Sequence, residues 1–303
     1  MDKVIVITGP TAVGKTKLSI SIAKYLNTDV INSDAYQVYK KLNIATAKIT
    51  KEEMEGVTHH LLDILEPTEE FSVYDYQLLT RNKISEMINN HKTPLLVGGS
   101  GLYIDSVIKN YQFDEEKRDP KIENKYKDLS NEELHQILVT LNKEKAEEIH
   151  FNNRKRVLRA IELELSDTNK ENRLKKNENI YDSLVIFLYD DREILYERIN
   201  KRVDQMIKNG LLEEAKYLYD HNLLSKTSKA TIGYKELFLY FNNEITLEEA
   251  IDLIKKNSRH YAKRQMTWFN NKDDVIKVKI NLNDFNQTIE EVKELINNFI
   301  KKH

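Results

Sequence analysis

Residues 9 to 16 read Gly9-Pro10-Thr11-Ala12-Val13-Gly14-Lys15-Thr16, a complete G-x-x-x-x-G-K-[ST] pattern. A glycine-rich turn of this kind lets successive backbone N–H groups converge on phosphate oxygens. The helix that starts behind it adds roughly half a positive charge. Lys15 adds a full charge, and the Thr16 hydroxyl is the type of oxygen that ligates Mg²⁺ next to a phosphate. The pattern implies phosphate chemistry without saying which phosphate. ATPases and GTPases with this loop usually end another strand with an acid that helps hold Mg²⁺. Here Leu95-Leu96-Val97 runs instead into Gly98-Gly99-Ser100-Gly101, and the acid ends a different strand, as Asp34 in Asn32-Ser33-Asp34-Ala35-Tyr36-Gln37. A carboxylate beside a phosphate cradle suits a base that takes a proton from an attacking acceptor, which is transfer chemistry rather than ATP hydrolysis. The competing role for Asp34 is a helix cap. Arg198 and Arg202 stand at i, i+4 on one helix, so that face can reach a diphosphate bidentately, against the alternative of a solvated helix face.

Three further groups invite a chemical reading. Arg154, Lys155, Arg156 and Arg159 form the most concentrated short basic run between residues 113 and 180. Arg259-His260-Tyr261-Ala262-Lys263-Arg264 interleaves charge with aromatics. Trp268, the only tryptophan, and Phe269 are expected in the core rather than as a stacking platform for bases. His59-His60 has no third ligand in view and is read as structural or as active-site polar residues, not as a metal site.

The elements that must position these groups alternate. Val4 to Ile7 is a continuous apolar run, as in a parallel strand covered on both faces. It feeds the phosphate loop and a helix with Leu18, Ile22 and Leu26 on one face. Asp29 to Asn32 and Pro94 to Val97 are further strands. Between them a helix starts at Ser72 with Asp75 and buries Tyr76, Ile84, Met87 and Ile88. Ser183 to Tyr189 and Val275 to Ile280 return as strands. Helices cover Asp191 to Asn209, closed by Gly210, and the stretch opened by the Thr246/Glu249 capping box and running toward Trp268. The expectation is an α/β fold: a parallel sheet of phosphate-loop NTPase type flanked by helices, built from residues 1–112 and 181–303. A small helical insertion fills 113–180.

The 303 residues combine 40% hydrophobic with 32% charged side chains, a folded core under a charged surface. Gly 8 and Pro 4 are low, so few loops are expected. Cys 0 excludes disulfides, thiol nucleophiles, zinc fingers and iron–sulfur clusters. No apolar run approaches the ~18 residues of a membrane span, and no signal-peptide pattern opens the chain, so a cytoplasmic protein without a membrane partner is expected. A net charge of −2 gives no global attraction to nucleic acid; any RNA must be held by local basic patches.

Taken in order, these segments resemble the tRNA dimethylallyltransferases, also called tRNA isopentenylpyrophosphate transferases. The resemblance runs through GPTAVGKT (9–16), SDAYQVY (33–39), Thr46-Ala47-Lys48, HHLLDI (59–64), LLVGGSGLYI (95–104), NNRKRVLRAIE (152–162), RINKRVDQMIKNGLLEE (198–214), TIGYKE (231–236) and YAKRQMTWF (261–269). It covers nearly the whole chain. Enzymes of that family move a dimethylallyl group from its diphosphate to the N6 amine of the adenine on the 3′ side of the tRNA anticodon. The resemblance implies that the loop holds dimethylallyl diphosphate rather than a nucleotide, with Mg²⁺ near Thr16. Asp34, Thr16 and Arg202 would be catalytic. The tRNA anticodon stem-loop would be contacted by Asp34, Ala35, Tyr36, Gln37 and Ser100, by Asn153, Arg154, Lys155 and Arg156, and by Gly233, Tyr234 and Lys235. Without cysteine there is no zinc finger of the kind eukaryotic members often add, so the chain resembles the short bacterial form; a monomer is expected. The rivals are an adenylate isopentenyltransferase acting on AMP, a small-molecule kinase that binds ATP in the same loop, and a non-catalytic RNA-binding protein.

Overall fold

The computed structural model describes residues 1–111, 113, 120–165 and 178–301. The chain divides into two compact units, one of Met1–Asn110 with Asn179–His303 and one of Tyr111–Glu178.

The larger unit is built on six strands: β1 (Lys3–Thr8), β2 (Val30–Asn32), β3 (His59–His60), β4 (Leu95–Gly98), β5 (Asp182–Tyr189) and β6 (Val275–Lys279). Their order is β3-β2-β4-β1-β5-β6, and every pair is parallel. Alternating side chains of β1 serve two cores. Val4 and Val6 pack with Tyr76, Ile84 and Leu237 on one face, and Ile5 and Ile7 with Leu18, Ile22 and Val292 on the other. Covering both faces is what an unbroken apolar strand requires.

In chain order the helices are α1 (Lys15–Leu26), α2 (Val73–Asn89), α3 (Gly101–Ile108), then α4 (Pro120–Lys125), α5 (Asn131–Leu141), α6 (Lys143–Glu148) and α7 (Arg154–Leu165) of the smaller unit, then α8 (Arg192–Lys208), α9 (Leu211–Asp220), α10 (Tyr234–Phe241), α11 (Leu247–Asn270) and α12 (Phe285–Lys301). The capping boxes at Ser72/Asp75 and Thr246/Glu249 form as their spacing predicts. Gly210, at φ 97°, takes the left-handed conformation that ends α8 and begins α9. None of the described helices is long and apolar enough to cross a membrane. The smaller unit closes its own core around Tyr126, Leu134, Leu138, Ile149, Val157 and Ile161.

Two expectations need correction. β3 is a strand although His59-His60 has no strand-like pattern; it forms because Val30 and Ile31 pair with it. Residues 33–58 form one long connection of turns without helix or strand, where low Gly and Pro suggest few loops. Non-glycine residues take the left-handed conformations it needs, among them Lys41, Ala47 and Glu55. The Glu214 carboxylate holds its middle, accepting from the backbone N–H groups of Asn43 at 3.0 Å, Ile44 at 2.9 Å and Ala45 at 3.1 Å.

Register brings the chemistry together. Thr8 pairs with Gly98 and with Phe187, and Asn32 with Val97. The carboxyl ends of β1, β2 and β4 therefore lie side by side. The phosphate loop, the Asp34 segment and the glycine turn leave the sheet side by side along its carboxyl edge, the ends of the strands where open parallel sheets bind ligands.

Candidate functional site

At that edge lies a cavity of about 270 Å³, lined by Thr11 to Thr16, Asp34, Tyr36, Gln37, Arg202, Tyr261, Arg264 and Gln265. The phosphate loop is held in shape from within and from outside. Lys15 Nζ donates to the carbonyls of Gly9 at 2.9 Å and Pro10 at 2.8 Å. Arg198 Nε donates to the Ala12 carbonyl at 2.9 Å, and Arg202 reaches the Thr11 hydroxyl at 3.4 Å. Gly9 and Pro10 thus frame the loop without lining the cavity, whereas Thr11 to Thr16 line it. Of the two arginines on α8, Arg202 faces the cavity and Arg198 braces the loop.

The missing acid at the end of β4 has a steric cause. A Cβ on Gly98 would stand 2.2 Å from the Ser33 carbonyl oxygen, and one on Gly99 2.1 Å from Gln265 Nε2. Gly98 admits no side chain, and one at Gly99 would have to displace the Gln265 carboxamide. The carboxylate enters from β2 instead. Asp34 Oδ1 accepts the Tyr36 N–H at 2.9 Å, an Asx turn that aims the carboxyl group into the cavity. Ser100 braces this segment: its Oγ accepts the Ala35 N–H at 3.3 Å, and its own N–H donates to the Ser33 carbonyl at 3.3 Å.

Electrostatics couples the two sides. Burial pushes Asp34 above the usual carboxylate value, against the pull of the Tyr36 N–H and the Lys15 charge. Burial, reinforced by Arg202, lowers Lys15 to about 7, opposed by Asp34. Burial also lowers Arg202. A carboxylate raised toward neutrality beside cations held in a tight cradle is an arrangement that an anionic ligand would relieve and that a proton acceptor can use. Apolar side chains line the same cavity: Val203, Met206, Leu211, Ile232 and Ile254. Nothing in the sequence singles these residues out, because their apolar types are indistinguishable there from ordinary core.

Thr16 is exposed on the first turn of α1 and lines the cavity. Among the described residues no group of three or more His, Cys, Asp or Glu could hold a metal ion. His59 and His60 bind elsewhere, to the Val57 carbonyl and to Asp29.

Several expected RNA contacts fall differently. Tyr36 and Gln37 line the cavity, and Lys235 is exposed and lines it too. Tyr234, in contrast, is 0% exposed, with its hydroxyl donating to Glu214 at 2.6 Å. Gly233 is buried, with its N–H donated to Glu236 at 2.7 Å. Both are built into the scaffold and offer RNA no exposed surface in this structure. In the smaller unit Asn153, Lys155 and Arg156 are exposed. Arg154 is committed internally, its guanidinium donating to the carbonyls of Leu129 at 2.6 Å, Tyr126 at 2.6 Å and Lys127 at 3.1 Å. Phe269 is buried and stacks on Phe187 at 5.3 Å, as expected of core. Trp268 departs from that expectation: it is 38% exposed, with its indole N–H donated to Asp105 at 3.0 Å.

The family profile described as IPP transferase matches residues 37–272. The chain is 50% identical over 279 residues to a protein of Bacillus subtilis strain 168 named tRNA dimethylallyltransferase, covering 90% of this chain and 89% of that one. Among solved structures, the tRNA isopentenylpyrophosphate transferase of Bacillus halodurans superposes with a TM-score of 0.78 at 42% identity, over 100% of this chain and 98% of that one. A eukaryotic dimethylallyltransferase described as acting on tRNA superposes with a TM-score of 0.84 at 30% identity, over 98% of this chain and 80% of that one.

Proposed function

The chain belongs to the IPP transferase family, and from that premise we propose that the cavity at the sheet edge is the active site of a tRNA dimethylallyltransferase. The donor is dimethylallyl diphosphate, and the acceptor is the N6 amine of the adenine 3′ of the anticodon. The observation that carries this reading is one cavity lined at once by the cations Lys15 and Arg202, the carboxylate of Asp34 and a set of apolar side chains. The cradle suits a diphosphate. The apolar side chains suit a five-carbon chain, and a volume of about 270 Å³ is small for a ligand pocket.

The amine of adenine is a weak nucleophile, because its lone pair is delocalised into the ring. The donor compensates, since its double bond stabilises positive charge at the allylic carbon as the C–O bond breaks. Negative charge collects on the departing diphosphate. The amides at the start of α1, Lys15 and Arg202 stand where that charge forms, which is where fixed donors accelerate a reaction most. Asp34 holds the attacking amine and accepts its proton as the new N–C bond forms. The adenine must leave its stack to reach the cavity, and Tyr36 and Gln37 line the way. Mg²⁺ fits the Thr16 hydroxyl only as an ion that takes most of its ligands from the diphosphate and water, as Mg²⁺ commonly does; it would offset charge on the leaving group. A monomer in the cytoplasm completes the reading.

The test is incubation with labelled dimethylallyl diphosphate, Mg²⁺ and either unmodified tRNA or AMP. Label in tRNA alone supports the reading. Label in AMP alone overturns it in favour of an adenylate isopentenyltransferase.

A further inference from the structure

The phosphate loop has an outer anchor that the mechanism above does not use. Gln265, on α11, is 5% exposed. Its Oε1 accepts from the backbone N–H of Thr11 at 3.0 Å, and its Nε2 donates to the carbonyl of Gly99 at 3.0 Å. The Thr11 N–H is thus already satisfied within the protein, whereas the N–H groups of Gly14, Lys15 and Thr16 meet no acceptor among the described residues. The anion cradle is therefore the second half of the loop, with its first half tied down. In addition, Gly99 precedes Ser100, which bonds the chain on both sides of Asp34, at Ser33 and at Ala35. One carboxamide thus links the loop that holds the donor to the turn that holds the base.

We propose that Gln265 is a positioning residue for prenyl transfer, fixing the distance between the phosphate loop and Asp34 so that the allylic carbon and the attacking amine meet in line. The inference rests on the transferase reading. The chemistry is specific to a carboxamide, which presents an acceptor and a donor side by side without charge. A leucine of similar size would leave a buried N–H and a buried carbonyl unmatched. An ionised glutamate would set oxygen against the Gly99 oxygen. A protonated glutamate would restore both bonds, with C=O accepting from Thr11 and O–H donating to Gly99.

The experiment compares the parent protein with Q265L and Q265E across pH. It measures single-turnover transfer from labelled dimethylallyl diphosphate, tRNA affinity, and affinity for inorganic pyrophosphate. Q265L should slow transfer on the order of 10²-fold, the usual consequence of misplacing reactants by about 1 Å, with tRNA affinity unchanged. For Q265E the rate relative to the parent should rise as pH falls and its carboxyl group takes up a proton. Lys15, Arg202, Asp34, Tyr261 and Arg264 share the cavity and are present in both proteins, so the ratio isolates position 265. A merely structural glutamine would lower stability without this mirrored profile. Parental turnover by Q265L, or a Q265E profile parallel to the parent's, overturns the proposal. If Q265L fails to fold by circular dichroism, Q265E decides alone. If the parent itself labels no tRNA, the transferase reading fails. The pyrophosphate affinity of Q265E then still tests the anchor, which is overturned if that affinity follows pH as the parent's does.

Discussion

In the proposed reaction Asp34 would both close a turn and take a proton, and a change of one atom separates the two jobs. Its Oδ1 closes the Asx turn on Tyr36. Asparagine would keep that turn, since Asn and Asp accept such bonds about equally well. What asparagine cannot do is take a proton. Asp34→Asn should therefore lower the single-turnover transfer rate by roughly 10²–10⁴-fold with little change in tRNA affinity; a loss below about threefold assigns the residue to the turn alone. The same cluster sets the pH response. Asp34 must be ionised to act, so transfer falls as pH drops through its raised value. Lys15 must be charged to attract the donor, and its value in the free protein is about 7. The kcat/KM for donor should thus be bell-shaped, with its alkaline limb near 7, a property of the coupled cluster as a whole. A bound diphosphate favours the ammonium form, so the alkaline limb of kcat should lie higher than that of kcat/KM. A kcat/KM that stays flat well above neutrality would count against Lys15 as the donor-binding cation.

At the scale of elements, local signals are legible in the sequence and distant ones are not. The phosphate loop is eight consecutive residues between a strand and a helix, and β1, β2, β4 and β5 advertise themselves as short apolar runs. The two residues of each capping box stand three positions apart. By contrast, Gln265 is 254 residues from Thr11, and Arg198 is 186 from Ala12. Nothing in a Gln or an Arg on a helix says which backbone group it will meet. Tyr234 and Gly233 show the converse error: a motif next to a site supports it from inside as readily as it faces the ligand. The turn-only connection after β2 is hidden for a similar reason, because the Glu214 carboxylate organises it from α9. Removing that carboxylate leaves three amides and the Tyr234 hydroxyl without their acceptor. Glu214→Ala should then cost about 1–3 kcal/mol of unfolding free energy, and Tyr234→Phe only about 1 kcal/mol. Urea denaturation of both proteins measures this, and equal losses would show that the amides of residues 43–45 do not depend on Glu214.

For the molecule as a whole, the balance of charge decides how RNA can be held. With Lys+Arg 47 against Asp+Glu 49, there is no net field to draw a polyanion in. Affinity must come from cations that are both exposed and uncommitted, and burial and hydrogen bonding separate these from the rest. Lys155 and Arg156 on α7 are exposed, while their neighbour Arg154 ties three carbonyls of the smaller unit together. Substitutions in one basic run should therefore have two different signatures. Lys155→Ala with Arg156→Ala should weaken tRNA binding and reduce the slope of log K against log salt by about 0.7–0.9 for each phosphate that is no longer neutralised, with donor binding and thermal stability unchanged. Arg154→Ala should instead lower stability, since hydrogen bonds from a charged donor contribute about 1.5–3 kcal/mol, while leaving the salt slope of the folded protein nearly intact. Binding isotherms at several salt concentrations, set beside thermal melts, separate the two. A salt slope that changes for Arg154→Ala and not for the double variant would reverse the assignment and make Arg154 the residue that touches RNA.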